Sequence, residues 1–543
     1  MWCQNWREEI WSKLDSRWDV IIIGGGITGA GILREATRAG LRALLLEAAD
    51  FASGTSSRSS KLVHGGFRYL KNGQIRLTLE SVRERERLLS EGRGLITQLG
   101  FLMPSFITDP LPPWILEIGL TLYDLLALEW RHRYYDSYDL RELCPSLAEE
   151  GLRGGFRFFD AQTDDARLTL RLLREAVREG GTALSYARVE NILRNLFGQA
   201  CGVRMRDGSH RNYCSAPSNP LSDCGEGNTV EIFAPLVINA TGAWADELRI
   251  QAGGQPRLRK LRGSHLLFPR HKFPLTRAVS LYHPKDGRPV FAFPWEGVTP
   301  LGTTDVDHSA HLQTDPAISQ AEAEYLLDAV QFAFPALQLS LADVQTTFSG
   351  VRAVVNTGKA DPSKESREFV LWNENGLLTI TGGKLTTFRR MAHRALEAGR
   401  PLLPGNPHFD PDLPVLDSPP SEALAETPLD RAARLRLFGR YGADSPQLVA
   451  AAKEGELTPI ESSTALWAEL RWSARCEGVI HLDDLLLRRV RLGLLLPQGA
   501  IPWLPRIRSI VQPELGWNDE RWEREVEAYT HLWKTSYSLE GGN

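Results

Sequence analysis

Gly24-Gly25-Gly26-Ile27-Thr28-Gly29 spells G-x-G-x-x-G directly behind the apolar run Asp19-Val20-Ile21-Ile22-Ile23, and the next apolar run, Leu41 to Glu47, ends on an acid. The spacing suits a dinucleotide. Gly24, Gly26 and Gly29 let backbone approach a pyrophosphate at a helix N-terminus, and Glu47, about twenty residues on, accepts from ribose hydroxyls. The motif does not separate NAD from FAD. A second anion device is Gly382-Gly383-Lys384, which leads into Leu385-Thr386-Thr387-Phe388-Arg389. Read as a glycine turn and a helix start with Thr386 and Thr387 as caps, it presents free N–H groups to developing negative charge.

These groups need elements to hold them. The spacing predicts a βαβ unit from Asp19 to Glu47, with Ile27 to Gly40 as its helix. Leu184 to Ile192, Val230 to Ala240 and Leu377 to Ile380 read as further strands, beside helices at Arg167 to Glu179 and Thr387 to Ala398. Leu261 to Phe268, Ala278 to Tyr282 and Val290 to Pro294 read as a more antiparallel second domain with a turn at Lys285-Asp286-Gly287. The prolines between 401 and 420 mark a linker, and a separate helical domain is expected over 421–535.

A chain of 543 residues is expected to form two or three domains. With 63 basic and 67 acidic residues it carries no global field for nucleic acid, so any anion site is local. Six scattered cysteines lack metal-ligand spacing, no metal is expected, and Ser215 to Asn228, which follows Cys214 and contains Cys224, reads as a solvated insertion. With Arg7, Glu8 and Glu9 near the N-terminus, no export signal is expected there. The apolar stretch Leu111 to Trp130 holds Glu117, Asp124 and Glu129, so no spanning helix is expected. Arg83-Glu84-Arg85-Glu86-Arg87 reads as a solvated helix face, and Arg488, Arg489 and Arg491 as helix-end charge.

Ser56 to Leu70, with its core Ser59-Ser60-Lys61-Leu62-Val63-His64-Gly65-Gly66-Phe67-Arg68-Tyr69, resembles the signature that FAD-dependent glycerol-3-phosphate dehydrogenases lay across pyrophosphate and flavin. Arg262-Gly263-Ser264-His265, Gly302-Thr303-Thr304-Asp305, Ser349-Gly350-Val351-Arg352 and Gly382 to Arg389 resemble further blocks of that family, in its order. Val237 to Trp244, with Ala240 and Gly242 at the strand end, resembles the segment returning beneath the dinucleotide in the D-amino-acid-oxidase-like superfamily. Leu482 to Gly493 resembles the family's helical C-terminal domain. Phe388 departs from the tyrosine common in the family, as does the insertion at Ser215 to Asn228.

The resemblance implies an α/β fold: a Rossmann-like FAD-binding domain, an antiparallel-sheet substrate domain, and an all-helical C-terminal domain. Its expected boundaries are about 18–100, 151–255 and 346–400 for the FAD-binding segments, and about 101–150 and 256–345 for the substrate domain. It implies oxidation of sn-glycerol 3-phosphate to dihydroxyacetone phosphate by hydride transfer to FAD, with electrons passing to a quinone. Rival readings are an oxygen-using oxidase, a relative acting on an amine or 2-hydroxy acid, and a flavin-binding sensor or scaffold. Arg68, Arg352 and Lys384 are the expected phosphate ligands and His265 the expected base, an imidazole of near-neutral pKa. Tyr69 is expected to hold the substrate hydroxyl and His64 to pack on the flavin. Ser59, Ser60, Lys61, Gly65, Ala240, Gly242, Gly383, Lys384, Leu385 and Thr386 join Gly24, Gly26, Gly29 and Glu47 as expected cofactor contacts. Quinones reside in lipid, so the expected location is cytoplasmic, peripherally on the inner face of the membrane, with Pro112 to Leu126 lying in the interface and Trp114, Tyr123 and Trp130 as anchors. Trp2, Trp6 and Trp11 are a second candidate anchor, and a homodimer is among the expected partners.

Overall fold

Four consecutive apolar residues, Val20–Ile23, form a strand buried on both faces, flanked in parallel by Ala43–Leu46 and Leu236–Asn239. Such continuous burial requires neighbours on both edges and helices over both faces, which explains the absence of polar alternation. The computed structural model describes residues 2–3, 5–66, 75–127, 130–209, 228–310, 312, 315–359, 365–366, 368–418 and 424–540. Among them, Val20–Ile23 sits inside a six-stranded sheet completed by Thr182–Leu184 at one edge and the antiparallel pair Leu377–Thr381 and Val370–Glu374 at the other. The helix Ile27–Arg38 packs on this sheet between the helices Asp165–Arg178 and Phe388–Gly399.

Two expected strands are each split. Tyr186, at φ +53°, ends the run from Thr182, and Ala187–Arg194 moves to a separate three-stranded sheet. Pro235, which has no N–H for a ladder, divides Thr229–Phe233 in the small sheet from Leu236–Asn239 in the large parallel one.

A second, mostly antiparallel sheet holds ten strands among the described residues, including the hairpin Ala278–Tyr282 to Pro289–Ala292 turned at Lys285-Asp286-Gly287. Leu152–Gln162 and Thr346–Val355 belong to it, pairing with Thr97–Phe106 and Leu258–Pro269. The expected boundaries near 151 and 346 are corrected accordingly: register with those long partners, not adjacency in sequence to the cofactor segments, decides their sheet.

The C-terminal part is helical among the described residues, with Arg431–Tyr441, Ser445–Ala451, Trp467–Cys476, Leu492–Leu495, Leu504–Leu515 and Asp519–Ser536 as its α-helices. It is not separate. Leu482, Leu486, Leu494 and Trp533 share one apolar cluster with Phe101, Phe158 and Phe348 of the ten-stranded sheet. Nor is the proline-rich stretch a free linker. Val415 and Leu416 are buried, Arg389 and Arg87 donate to the Pro411 carbonyl at 2.5 and 2.6 Å, and Arg34 pairs with Asp417 at 2.7 Å. No helix among the described residues is long and apolar enough to cross a membrane.

Candidate active site

The glycine loop is dictated by space. A Cβ on Gly29 would lie 1.9 Å from the Gly24 carbonyl oxygen, and one on Gly24, at φ +110°, would lie 2.7 Å from that of Ala240. Only glycine permits this strand-to-helix approach. Gly26 caps the helix without a side-chain hydrogen bond, while Ser56 Oγ accepts from Ile27 N at 2.9 Å. Glu47 accepts from Gly25 N at 2.6 Å and Ala49 N at 2.9 Å. Burial pushes its carboxyl above the usual range against the pull of those two N–H groups. Gly242, at φ +60°, faces open space beside Ala240. A glycine cradle at a helix N-terminus, flanked by Ser56 and Glu47, fits the adenosine diphosphate half of FAD.

The loop that follows is held from below. Asp165 accepts from Ser59 N at 2.9 Å, Ser59 Oγ at 2.8 Å and Lys61 Nζ at 3.1 Å, and Arg491 from the C-terminal part pairs with it at 3.2 Å. Lys61 is fully buried, and its ammonium lies 4.4 Å from the Phe348 ring centroid. Burial, offset by Asp165, draws it down to about 8. The Lys61 side chain, paired with Asp165, supports the loop from behind. Gly65 N donates to Asp160 at 3.0 Å, and a Cβ there would lie 2.2 Å from Tyr123 Oη. His64 is half-buried, and its carbonyl accepts from Thr386 Oγ1 at 3.4 Å, which brings the two expected cofactor segments together. Arg68 and Tyr69 lie outside the described residues.

Gly382 and Gly383, at φ +79° and +71°, turn the chain into the helix Phe388–Gly399. Lys384 Nζ donates to Ser81 Oγ at 2.9 Å, Thr386 is buried, and Leu385 packs on the core of the six-stranded sheet. Arg352 pairs with the buried Asp305, which Arg288 also approaches at 3.4 Å. A phosphate reaching Arg352 would share it with that carboxylate.

His265 departs most from expectation. It is only 2% exposed, stacked on Phe348 at 4.4 Å and bonded through Nε2 to Ser60 Oγ at 3.0 Å. Burial, with the charges of Lys61 and Arg352, lowers its pKa to about 3. The ring is held neutral and largely sealed, with Nε2 on Ser60 Oγ, where the sequence suggests an imidazole of near-neutral pKa.

The charged run 83–87, read as solvent-facing, is corrected too. Glu84 and Arg85 are buried, on the side of the helix Ile75–Glu91 that also buries Thr78, Ser81, Val82 and Leu88. Arg85 donates to Asp160 at 2.9 Å and Tyr123 OH at 2.7 Å, and Glu84 holds Arg389 at 2.7 Å. Arg488 and Arg489 both grip Asp50, just behind the glycine loop. Helical spacing from Ser81 and Leu88 was the available signal for Arg85; nothing local marked Asp50.

Residues 19–389 match the family model described as FAD dependent oxidoreductase, and residues 402–522 that described as the C-terminal domain of alpha-glycerophosphate oxidase. The aerobic glycerol-3-phosphate dehydrogenase of Staphylococcus aureus (strain USA300) is 32% identical over 510 residues, covering 89% of this chain and 88% of that protein. The fold is similar to the glycerol-3-phosphate dehydrogenase from Bacillus halodurans complexed with FAD, with a TM-score of 0.78 and 28% identity over 99% of this chain and 98% of that one. The L-alpha-glycerophosphate oxidase of Mycoplasma pneumoniae shares the fold at a TM-score of 0.57 and 18% identity, over 75% of this chain and 99% of that one. With a glycine cradle fitted to its cofactor and relatives matching from end to end, this FAD-dependent chain belongs to the family of glycerol-3-phosphate dehydrogenases and oxidases.

Proposed function

We propose that the protein oxidises sn-glycerol 3-phosphate to dihydroxyacetone phosphate and that the electrons leave to a quinone at the inner face of the cytoplasmic membrane. The observation that carries the reaction is end-to-end similarity to glycerol-3-phosphate dehydrogenases, together with a glycine cradle suited to FAD. Bound FAD supplies the hydride acceptor. Arg352 and Lys384 hold the phosphate, and the glycine turn at 382–383 with the helix behind it favours negative charge near the flavin. Neutral His265 keeps Ser60 oriented across the loop. The test is anaerobic addition of glycerol 3-phosphate to the purified yellow protein. Bleaching of the flavin band supports the reading, and bleaching by an amino acid or 2-hydroxy acid alone refutes it.

The quinone reading draws support from the helix Pro113–Ala127. Its Leu116 and Leu120 are buried, while Trp114 (62% exposed), Ile118 (62%) and Leu125 (64%), with Trp130 (71%) just beyond, leave an apolar stripe facing outward. That stripe suits the lipid interface. Three expected anchors are corrected: Tyr123 is buried on Arg85 and Asp160, and Trp2 and Trp6 are buried in the core. Electron transfer to oxygen is the competing outcome, read as peroxide formation in air.

A further inference from the structure

The Sγ atoms of Cys3 and Cys476 lie 2.8 Å apart, although 473 residues separate them in sequence. Cys3 is half-buried and reachable by a small solute, while Cys476 ends the helix Trp467–Cys476 and is 6% exposed. The pair sits on a chain of contacts that ends at the cofactor cradle. Trp2, next to Cys3, stacks on Phe51 at 4.8 Å and donates through Nε1 to the Ala183 carbonyl at 3.2 Å. Phe51 is fully buried, and its ring would lie 2.9 Å from a Cβ on Gly25 of the glycine loop. The Gly25 carbonyl accepts from Ala52 N at 3.0 Å.

We propose that Cys3 and Cys476 form a redox-modification site: hydrogen peroxide converts the two thiols to a disulfide that fastens the N-terminal segment to the helical part of the chain and so braces Trp2 behind the glycine loop. The sulfurs need to close by less than ~1 Å to reach bonding distance. In the first step the Cys3 thiolate attacks one peroxide oxygen, the O–O bond breaks, and with one proton taken up a water leaves a sulfenic acid on Cys3. In the second, the Cys476 sulfur attacks the Cys3 sulfur and the S–O bond breaks, with the hydroxyl leaving as water with the Cys476 proton. Two thiols have lost two electrons and two protons, and one peroxide has become two waters. Electrostatics favour Cys3 as the attacking group. Its hydrogen bond with Cys476, aided by the Arg174 guanidinium, lowers its pKa to about 6 despite burial, while Cys476 is raised. A thiol reductant reverses the link.

The test treats the FAD-loaded full-length enzyme with one equivalent of hydrogen peroxide, followed by proteolysis without reductant and mass spectrometry. The expected product is a peptide pair joined through Cys3 and Cys476, two hydrogens lighter than the separate thiols and released by dithiothreitol. Oxidised enzyme should also melt about 2–5 °C higher than reduced enzyme, because the cross-link constrains the unfolded chain. Cys3→Ser and Cys476→Ser should each retain bound flavin yet lack both the cross-link and the shift. Overoxidation of Cys3 without a cross-link, linkage through other cysteines with this pair still reduced, or a cross-link without a rise in melting temperature each overturns the proposal.

Discussion

Replacing Arg85 by methionine removes one guanidinium while keeping most of the apolar stem. In the folded chain that guanidinium lies 2.9 Å from Asp160 and 2.7 Å from Tyr123 OH, and Asp160 in turn accepts from Gly65 N. The substitution leaves a buried carboxylate without its cation, and breaking a buried pair from one side costs about 3–5 kcal/mol. With an unfolding entropy of about 2.1 cal/mol/K per residue over a cooperative unit of about 400 residues, the melting temperature should fall by roughly 4–6 °C. The loss should depend on pH. Burial already holds Asp160 above the usual carboxyl range, so the folded state binds its proton more tightly than the unfolded chain does. Stability therefore declines as pH rises from the ordinary carboxyl value through the folded one. Without Arg85 the folded value rises further, so the variant should be penalised more at pH 8 than at pH 5. Calorimetry across that range, with flavin-to-protein ratios from absorbance, measures both effects. Arg85→Met combined with Asp160→Asn should recover part of the loss and flatten its pH dependence. A single variant that melts like wild type at pH 8 and keeps full flavin would refute the view that this ion pair supports the Gly65 loop.

Arg352→Ala and Lys384→Ala should each lower kcat/KM for glycerol 3-phosphate by roughly ten- to a hundredfold, the worth of one charge-assisted contact, with flavin content near wild type. Wild-type kinetics in both would place the phosphate elsewhere. Because His265 has its pKa lowered to about 3, the unfolded chain binds its proton more readily between there and the ordinary value of 6.5. Its share of stability is present above pH 6.5 and lost as pH falls toward 3. His265→Gln should flatten the wild-type decline in that window, and an imidazole proton resonance of His265 that titrates near pH 6.5 would refute its sealed position. Trp114→Glu with Ile118→Glu should abolish flotation with anionic liposomes and slow reduction of long-chain quinone, leaving anaerobic bleaching by glycerol 3-phosphate intact; unchanged flotation would remove this helix from the membrane reading.

What the sequence determined by itself was local chemistry. Gly29 is legible because the approach it permits, to the Gly24 carbonyl, arises within one βαβ unit, where spacing along the chain is spacing in space; Gly24 and Gly26 share that motif, although the atoms that crowd them, from Ala240 and Ser56, lie outside it. Glu47, Gly382 and Gly383 are legible for the same reason. Tertiary structure decided which charges are buried and what they hold. Arg85 and Glu84 look like part of an alternating charged run, yet Asp160 and Arg389, the partners that make burial tolerable, come from a strand of the second sheet and a helix some 300 residues downstream. Asp50 meets Arg488 and Arg489 across more than 400 residues, so the helical part of the chain braces the glycine loop in a way no local pattern predicts. His265 makes the same point in reverse. Its residue type suggests a base, but the Phe348 ring, Ser60 and the nearby cations set its protonation, and those neighbours are brought together only by the fold. Local sequence fixes backbone geometry through steric contacts a few residues apart; burial and pairing of charge depend on contacts between distant segments, which the folded chain alone supplies.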